Sequence, residues 1–244
     1  MAPLRVLYRL ALLGLHIAWA LAFVVLCALA GRRPPPALVS CWHRWACRIL
    51  GVRVRVEGRP APMPVLMAAN HVSWLDIPVL GGLAPVAFLA KAEIRRWPLV
   101  GRLASAAGTL YIERGRHHAS AVAAAMAARL GEGRGILFFP EGTTTRGPGI
   151  RRFLWPLFRA AVDAGTPVQP VALRYLEDGR ISPHAPFVGD ANLLPHALAI
   201  LARPGIEARV RFLAPIRGGD ARALSTAAHA AVAEASSDGD QTPP

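Results

Sequence analysis

Residues 52–83 read VRVRVEGRPAPMPVLMAANHVSWLDIPVLGGL. Val52–Val56 alternates valine with arginine, which predicts a strand with one apolar face, and the apolar run Val65–Ala69 is a second strand candidate. Ile77–Leu83 follows as a short helix, with Pro78 suited to its first turn. The same texture continues downstream. Pro85–Ala90, Thr109–Ile112, Ile136–Phe139, Val168–Leu173 and Ile206–Leu213 are further strand candidates; Leu99–Ala107, His118–Leu130, Phe153–Ala164 and a segment from about Asp220 to Glu234 are helical. Strands that alternate with helices predict an α/β domain, a mixed and largely parallel sheet flanked by helices. Residues 51–235 are of a length that suits one domain. Glu177–Pro204, with its Gly, Pro and Asp, is the expected long connection, and residues 236–244 read as a disordered polar tail.

Upstream of residue 51 the pattern is different. Leu10–Gly31 carries no formal charge and matches the roughly 20 residues that cross a ~30 Å hydrocarbon core as a helix. Arg5 and Arg9 precede it, and Arg32 and Arg33 follow. Ala28-Leu29-Ala30 resembles a signal-peptidase site, but the apolar stretch exceeds the ~7–15 residues of a signal-peptide core, which favours a retained anchor. After Pro34-Pro35-Pro36, residues Leu38, Cys41, Trp42, Trp45 and Ile49 recur at helical spacing, while Ser40, His43, Arg44 and Arg48 fall mostly elsewhere. This amphipathic helix fits either a core face or a bilayer interface, and its place beside the apolar segment favours the interface. The α/β domain is therefore expected to be preceded by an N-terminal membrane-associated helical pair, residues 1–50.

The chain has 244 residues, 53% of them apolar, with 28 Lys+Arg against 15 Asp+Glu for a net charge of +13. So apolar a chain is not a disordered segment. Its three cysteines, Cys27, Cys41 and Cys47, all lie near the N-terminus, so the body has neither a disulfide framework nor a cysteine zinc site. The charge calls for an acidic partner, either nucleic acid or an anionic membrane. Only Lys91 among the basic residues is lysine, so genomic base composition accounts for part of the bias. The N-terminal helices select the membrane, and no nucleic-acid partner is expected.

Ligands of open α/β sheets gather where strands end. Asn70-His71-Val72-Ser73-Trp74-Leu75-Asp76 follows the strand candidate at Val65. On one continuous helix His71 and Asp76 would stand about 140° apart, but a loop before a helix starting at Asp76 or Ile77 lets them meet. Histidine suits a general base near neutrality, and a carboxylate on its far nitrogen fixes the tautomer. Phe138-Phe139-Pro140-Glu141-Gly142-Thr143-Thr144-Thr145-Arg146-Gly147 offers backbone N–H and hydroxyl donors at another strand end. Gly108–Arg114 and Val168–Leu173 are the remaining segments, and Arg114 can hold a phosphate.

In this order the segments resemble the glycerolipid and lysophospholipid acyltransferase family, which includes 1-acylglycerol-3-phosphate acyltransferases. The resemblance rests on N-H-x4-D at His71–Asp76, G-x-x-x-I-x-R at Gly108–Arg114, F-P-E-G-T at Phe139–Thr143, V-x-P-V-A-L at Val168–Leu173, and K-x-E-x-x-x-x-P-x-x-G at Lys91–Gly101. It implies transfer of a fatty acyl group from acyl-CoA or acyl carrier protein to a lysophospholipid hydroxyl, with His71 as base, Asp76 orienting it, and neither metal nor further cofactor. It also implies acceptor binding by Glu141, Gly142, Thr143 and Arg114, with Lys91 as an addition. Family members that form phosphatidate commonly carry Arg after F-P-E-G-T. This chain has Thr144, and Arg146, Arg151 or Arg152 could compensate. The expected reaction converts 1-acyl-sn-glycerol-3-phosphate to phosphatidic acid; a lyso-ornithine lipid acceptor is the alternative. A lipid hydrolase and a non-catalytic basic membrane-binding protein are the rivals, the latter with no evident use for a His/Asp pair. Cytosolic donors imply the inner membrane, with the catalytic domain facing the cytoplasm.

Overall fold

The computed structural model describes residues 2–113, 116–147 and 149–237. Its elements are α1 (Ala2–Leu29), α2 (Pro36–Leu50), β1 (Val52–Glu57), β2 (Leu66–Ala69), α3 (Asp76–Leu83), β3 (Val86–Lys91), a 3-10 turn at Ala92–Arg96, α4 (Val100–Ala106), β4 (Leu110–Ile112), α5 (Arg116–Gly131), β5 (Gly135–Phe138), a 3-10 turn at Trp155–Phe158, α6 (Arg159–Asp163), β6 (Val168–Glu177), β7 (Arg180–Ile181), α7 (Leu193–Ala202), β8 (Ile206–Phe212) and α8 (Ala221–Ser237). The strands form one sheet in the order β1-β8-β6-β2-β5-β3-β4, and β7 hairpins onto β6. β8 and β6 pair antiparallel, as do β6 and β7, while the other neighbours are parallel, so the sheet is mixed and largely parallel.

The two faces of the sheet bury separate cores. On one, Cys47 and Leu50 of α2, Val79 and Leu80 of α3, and Ile200 and Leu201 of α7 pack with Met67, Leu173 and Tyr175. On the other, Met126 and Leu130 of α5, Phe158, and Leu224, Ala228 and Val232 of α8 pack with Leu66, Ile136 and Phe138. Neighbouring strand residues such as Leu66 and Met67 point to opposite faces, so β2 is an uninterrupted apolar run.

Three expectations change. Glu177–Pro204 is not a bare connection: it holds the β7 hairpin and α7, whose Pro195 sits in the first turn, where proline removes no helical hydrogen bond. The polar tail is shortened, because α8 runs through Ser237 and residues 238–244 lie outside the described residues. α1 begins at Ala2, well before Leu10, and takes in the two arginines read as flanks. Arg5 donates to the Ala202 carbonyl at 2.9 Å, and Arg9 to those of Leu201 and Arg203 at 3.0 and 2.7 Å. Cations at the carbonyl end of α7 satisfy acceptors that a helix leaves open.

The buried side of α2 mixes the two sets of residues, and Arg44 and Arg48 stay exposed. Ser40, His43, Ala46, Cys47 and Leu50 face inward, while Leu38 and Trp45 are exposed at 44% and 53%. Gly81 permits this packing, since a Cβ there would meet the His43 ring at 2.6 Å. The boundary expected at residue 50 therefore cuts across a packed helix pair.

Burial, with His16 nearby as a lesser cause, holds the His43 imidazole down at about 4. An unfolded chain returns it to about 6.5, so His43 contributes full stability above that pH and loses it as pH falls toward 4. The loss amounts to on the order of 3 kcal/mol. We expect unfolding midpoints measured in detergent to drop more steeply between pH 6.5 and 4 in the parent protein than in His43→Leu. Equal slopes would show that His43 is not the acid-sensitive group.

Candidate active site

β2 is central, between β5 and β6, and the loops that leave these three strands meet at one edge of the sheet. Asn70 begins the site by extending β2 with its side chain: its amide donates to the Leu173 carbonyl and accepts from the Leu173 N–H, at 2.8 and 2.7 Å. The chain then turns, with the Asp76 N–H bonded to the Ser73 carbonyl, and α3 starts at Asp76. This turn brings His71 and Asp76 together, His71 Nδ1 lying 2.6 Å from Asp76 Oδ2.

Asp76 is fully buried, and four hydrogen-bonding groups converge on its carboxylate. Oδ2 also accepts the N–H groups of Val72 and Ser73 at 2.8 and 3.0 Å, and Oδ1 accepts the Tyr175 hydroxyl at 2.8 Å. Burial and then the Asp76 charge push the Tyr175 phenol well above its ordinary range, so it stays protonated as a donor. A carboxylate acts only as an acceptor, so the proton shared with His71 sits on Nδ1 and leaves Nε2 as a lone-pair base. Phe139 stacks on the imidazole at 3.9 Å between ring centroids, 13° from parallel. Ring position, tilt and tautomer are thus all set before a substrate arrives.

Glu141 takes a different place from the one expected. Its carboxylate is buried and committed to the backbone, Oε1 accepting the His71 N–H at 2.7 Å and Oε2 the Arg151 N–H at 2.9 Å. Burial raises its pKa, and these two N–H groups partly offset that rise. These two bonds tie the loop after β5 to the backbone of His71. Gly142 has φ +69, a left-handed turn that favours glycine. The Thr145 N–H donates to the His71 carbonyl at 2.8 Å, so the loop returns to the same residue. Thr144 donates its hydroxyl to the Phe187 carbonyl, and the Phe187 N–H donates to Val72, which closes the segment before α7 over the site.

The other expected ligands are spread out. Thr143 lies half-buried on the β5 loop, and Lys91 ends β3, exposed and two strands from β2 at the same sheet edge. Arg146 borders a small recess with Val72, Arg174 and Tyr175. Arg152 lines a cleft of about 410 Å³ against α8, with Trp155 and Arg222. Arg114 lies outside the described residues.

Sequence reasoning did not find Tyr175 or Phe139. Tyr175 was within reach, since strand alternation puts it on the same face as Leu173, two residues past the V-x-P-V-A-L block. Burial pushes the Cys47 thiol up to about 12, so it is no nucleophile. Among the described residues no three His, Cys, Asp or Glu side chains converge as metal ligands.

A histidine base held by a buried carboxylate, at the strand ends of a largely parallel sheet, defines a class of enzymes that deprotonate a hydroxyl or water. The acyltransferase family profile matches residues 52–174, and the chain belongs to that family. It is 43% identical to a lyso-ornithine lipid O-acyltransferase of Pseudomonas aeruginosa, over 95% of this chain and 93% of that one. It is 39% identical to a 1-acyl-sn-glycerol-3-phosphate acyltransferase of Neisseria meningitidis, over 64% of this chain and 63% of that one. The crystal structure of the 1-acyl-sn-glycerophosphate acyltransferase PlsC from Thermotoga maritima shares the fold, with a TM-score of 0.74 at 21% identity and both chains fully covered.

Proposed function

We propose that this chain is a membrane-anchored O-acyltransferase that moves a fatty acyl group from acyl-CoA or acyl carrier protein to the hydroxyl of a lyso-ornithine lipid. His71 Nε2 takes the hydroxyl proton as the oxygen attacks the thioester carbonyl, and Asp76 stabilises the imidazolium that results. The proton then passes to the departing thiolate, so no covalent acyl-enzyme is needed. One observation carries the acceptor: near full-length likeness at 43% identity to a lyso-ornithine lipid O-acyltransferase. Thr144 agrees with it, standing where phosphatidate-forming relatives commonly carry arginine. A phosphatidate-forming activity is the second reading, favoured by the Neisseria relative. An acyl-transfer panel tests both: lyso-ornithine lipid and lysophosphatidic acid, each offered with acyl-CoA and with acyl carrier protein. Preference for lysophosphatidic acid would overturn the acceptor, and free fatty acid released without an acceptor would mark a hydrolase.

The anchor is α1 together with the outer face of α2. α1 exposes Leu4, Leu7, Leu15, Trp19, Val25, Leu26 and Leu29, and α2 adds Leu38 and Trp45, with Arg48 over the Trp45 ring at 4.9 Å. His16 stacks on Trp42, whose neighbour His43 is buried against the domain. Beyond that contact α1 continues for thirteen residues, about 20 Å at 1.5 Å each, against a hydrocarbon core of ~30 Å. It therefore enters one leaflet without crossing. Deleting residues 2–33 is expected to leave a folded chain that moves from vesicles to the aqueous fraction on flotation. Undiminished vesicle binding would reject α1 as the anchor.

A further inference from the structure

We propose that His196, on α7, is a positioning residue for the His71 base, an inference that rests on the acyl-transfer reading above. Its imidazole bridges two stretches of chain beside the site. Nδ1 accepts the Trp74 indole N–H at 3.0 Å, and Nε2 donates to the Pro186 carbonyl at 3.1 Å. An indole nitrogen only donates and a carbonyl only accepts, so these neighbours fix the ring as the neutral Nε2–H tautomer.

The two bonds complete a closed circuit. The N–H of Phe187, the residue after Pro186, donates to the Val72 carbonyl at 2.9 Å, and Ser73 joins Val72 to Trp74 along the chain. The circuit therefore runs from Val72 through Ser73 and Trp74 to His196, then through Pro186 and Phe187 back to Val72. Val72 and Ser73 also hold Asp76, their N–H groups donating to Oδ2 at 2.8 and 3.0 Å. One side of this turn orients the carboxylate that orients His71, and the other side is clasped through His196. The Ser73 hydroxyl is fully buried and makes no hydrogen bond among the described residues. The turn is not held by its own serine, and the His196 clasp supplies the missing tie.

His196 is itself well fixed. The helix that carries it buries Ile200 and Leu201, about one turn further on, in the core. The imidazole meets the rings of Trp74 and Phe187 edge-on, at 6.3 and 5.1 Å between centroids. Thr144 joins the loop after β5 to the same circuit, since its hydroxyl donates to the Phe187 carbonyl. A turn of fixed shape keeps His71 Nε2 aimed at one point, and small displacements of a reacting group are costly to rate.

His196→Phe keeps the ring packing and removes both hydrogen bonds. In the full-length enzyme it is expected to lower kcat about tenfold while the acceptor and donor KM values stay within about twofold. His196→Gln has one acceptor and one donor and should recover part of the loss. Trp74→Phe removes the donor on the other side of the bond and should match His196→Phe. The double variant should then lose no more than either single one, and fully multiplied losses would overturn the circuit.

Proton NMR in detergent micelles reads the same effect without turnover. The His71 Nδ1–H, held against Asp76 across 2.6 Å, should give a low-field resonance that is absent from His71→Ala. It should move upfield or broaden in His196→Phe and return toward its parent position in His196→Gln. An unchanged resonance and a kcat within about twofold of the parent, in folded His196→Phe, overturn the proposal. A lower melting temperature with neither of the other changes marks His196 as purely structural and overturns it too. If His196→Phe fails to fold, Trp74→Phe and His196→Gln carry the test. A resonance that responds to His196→Phe, in a protein whose parent acylates no lysolipid, rejects the acyl-transfer reading and keeps the clasp.

Discussion

His71→Ala lowers acyl transfer by about 10²- to 10⁴-fold, the range that a positioned general base supplies, and leaves the fold in place. The fold survives because Asp76 keeps three donors when the imidazole is removed: the Val72 and Ser73 N–H groups and the Tyr175 hydroxyl. No buried charge is stranded, and the site of the missing ring is partly open to solvent. Phe139 loses its stacking partner, at a cost of about 1 kcal/mol. Initial rates, together with circular dichroism and thermal melts on the same preparation, separate the two effects. Turnover near that of the parent would remove His71 from the mechanism.

Asp76→Asn is expected to damage both activity and stability. Four donors point at the Asp76 carboxylate, and an amide accepts at only one of its two ends. With its oxygen toward Tyr175, its NH₂ faces two backbone N–H groups that no longer have an acceptor. It would also donate to His71 Nδ1 and move the ring proton to Nε2, the atom that must act as base. A rate loss of about 10²- to 10⁴-fold follows, with destabilisation of roughly 2–4 kcal/mol from unsatisfied buried donors. In the opposite orientation the Tyr175 hydroxyl loses its acceptor, so neither amide flip escapes a penalty. The distinguishing measurement is a chemical denaturation curve beside the rate. His71→Ala loses rate at a stability cost of only about 1 kcal/mol, whereas Asp76→Asn loses both heavily, and intact stability in Asp76→Asn would contradict the buried network.

The two substitutions differ because one residue faces substrate while the other faces the protein. The same distinction bears on Glu141. Read in its motif, Glu141 is a plausible ligand of a polar headgroup. In three dimensions its two oxygens accept the backbone N–H groups of His71 and Arg151, which ties the loop after β5 to the turn that carries His71. A carboxylate near a strand end looks the same in sequence whether it faces outward or inward. Only the return path of residues 142–151 determines which N–H groups reach it.

The N-terminal helices show the same limit. Leu10–Gly31 is legible as a membrane segment from its apolar length alone. How much of it stands clear of the domain depends on where α2 packs, and this packing depends on Gly81, more than thirty residues downstream, leaving room for His43. Helical periodicity grouped Leu38 and Trp45 with the apolar face of α2 without saying that Ser40 and His43 turn inward and those two outward.

The sequence by itself determined the alternation of strands and helices, the long apolar N-terminal helix, and the pairing of His71 with a carboxylate five residues on, because each rests on local periodicity or on short covalent reach. Tertiary structure alone decided that Tyr175 holds Asp76, that Phe139 lies on the imidazole, and that Thr144 turns to Phe187. These contacts join residues distant in the chain. They exist because β6 and β5 flank β2 in one register, and sheet order is set by packing summed over both cores rather than by any local stretch of chain.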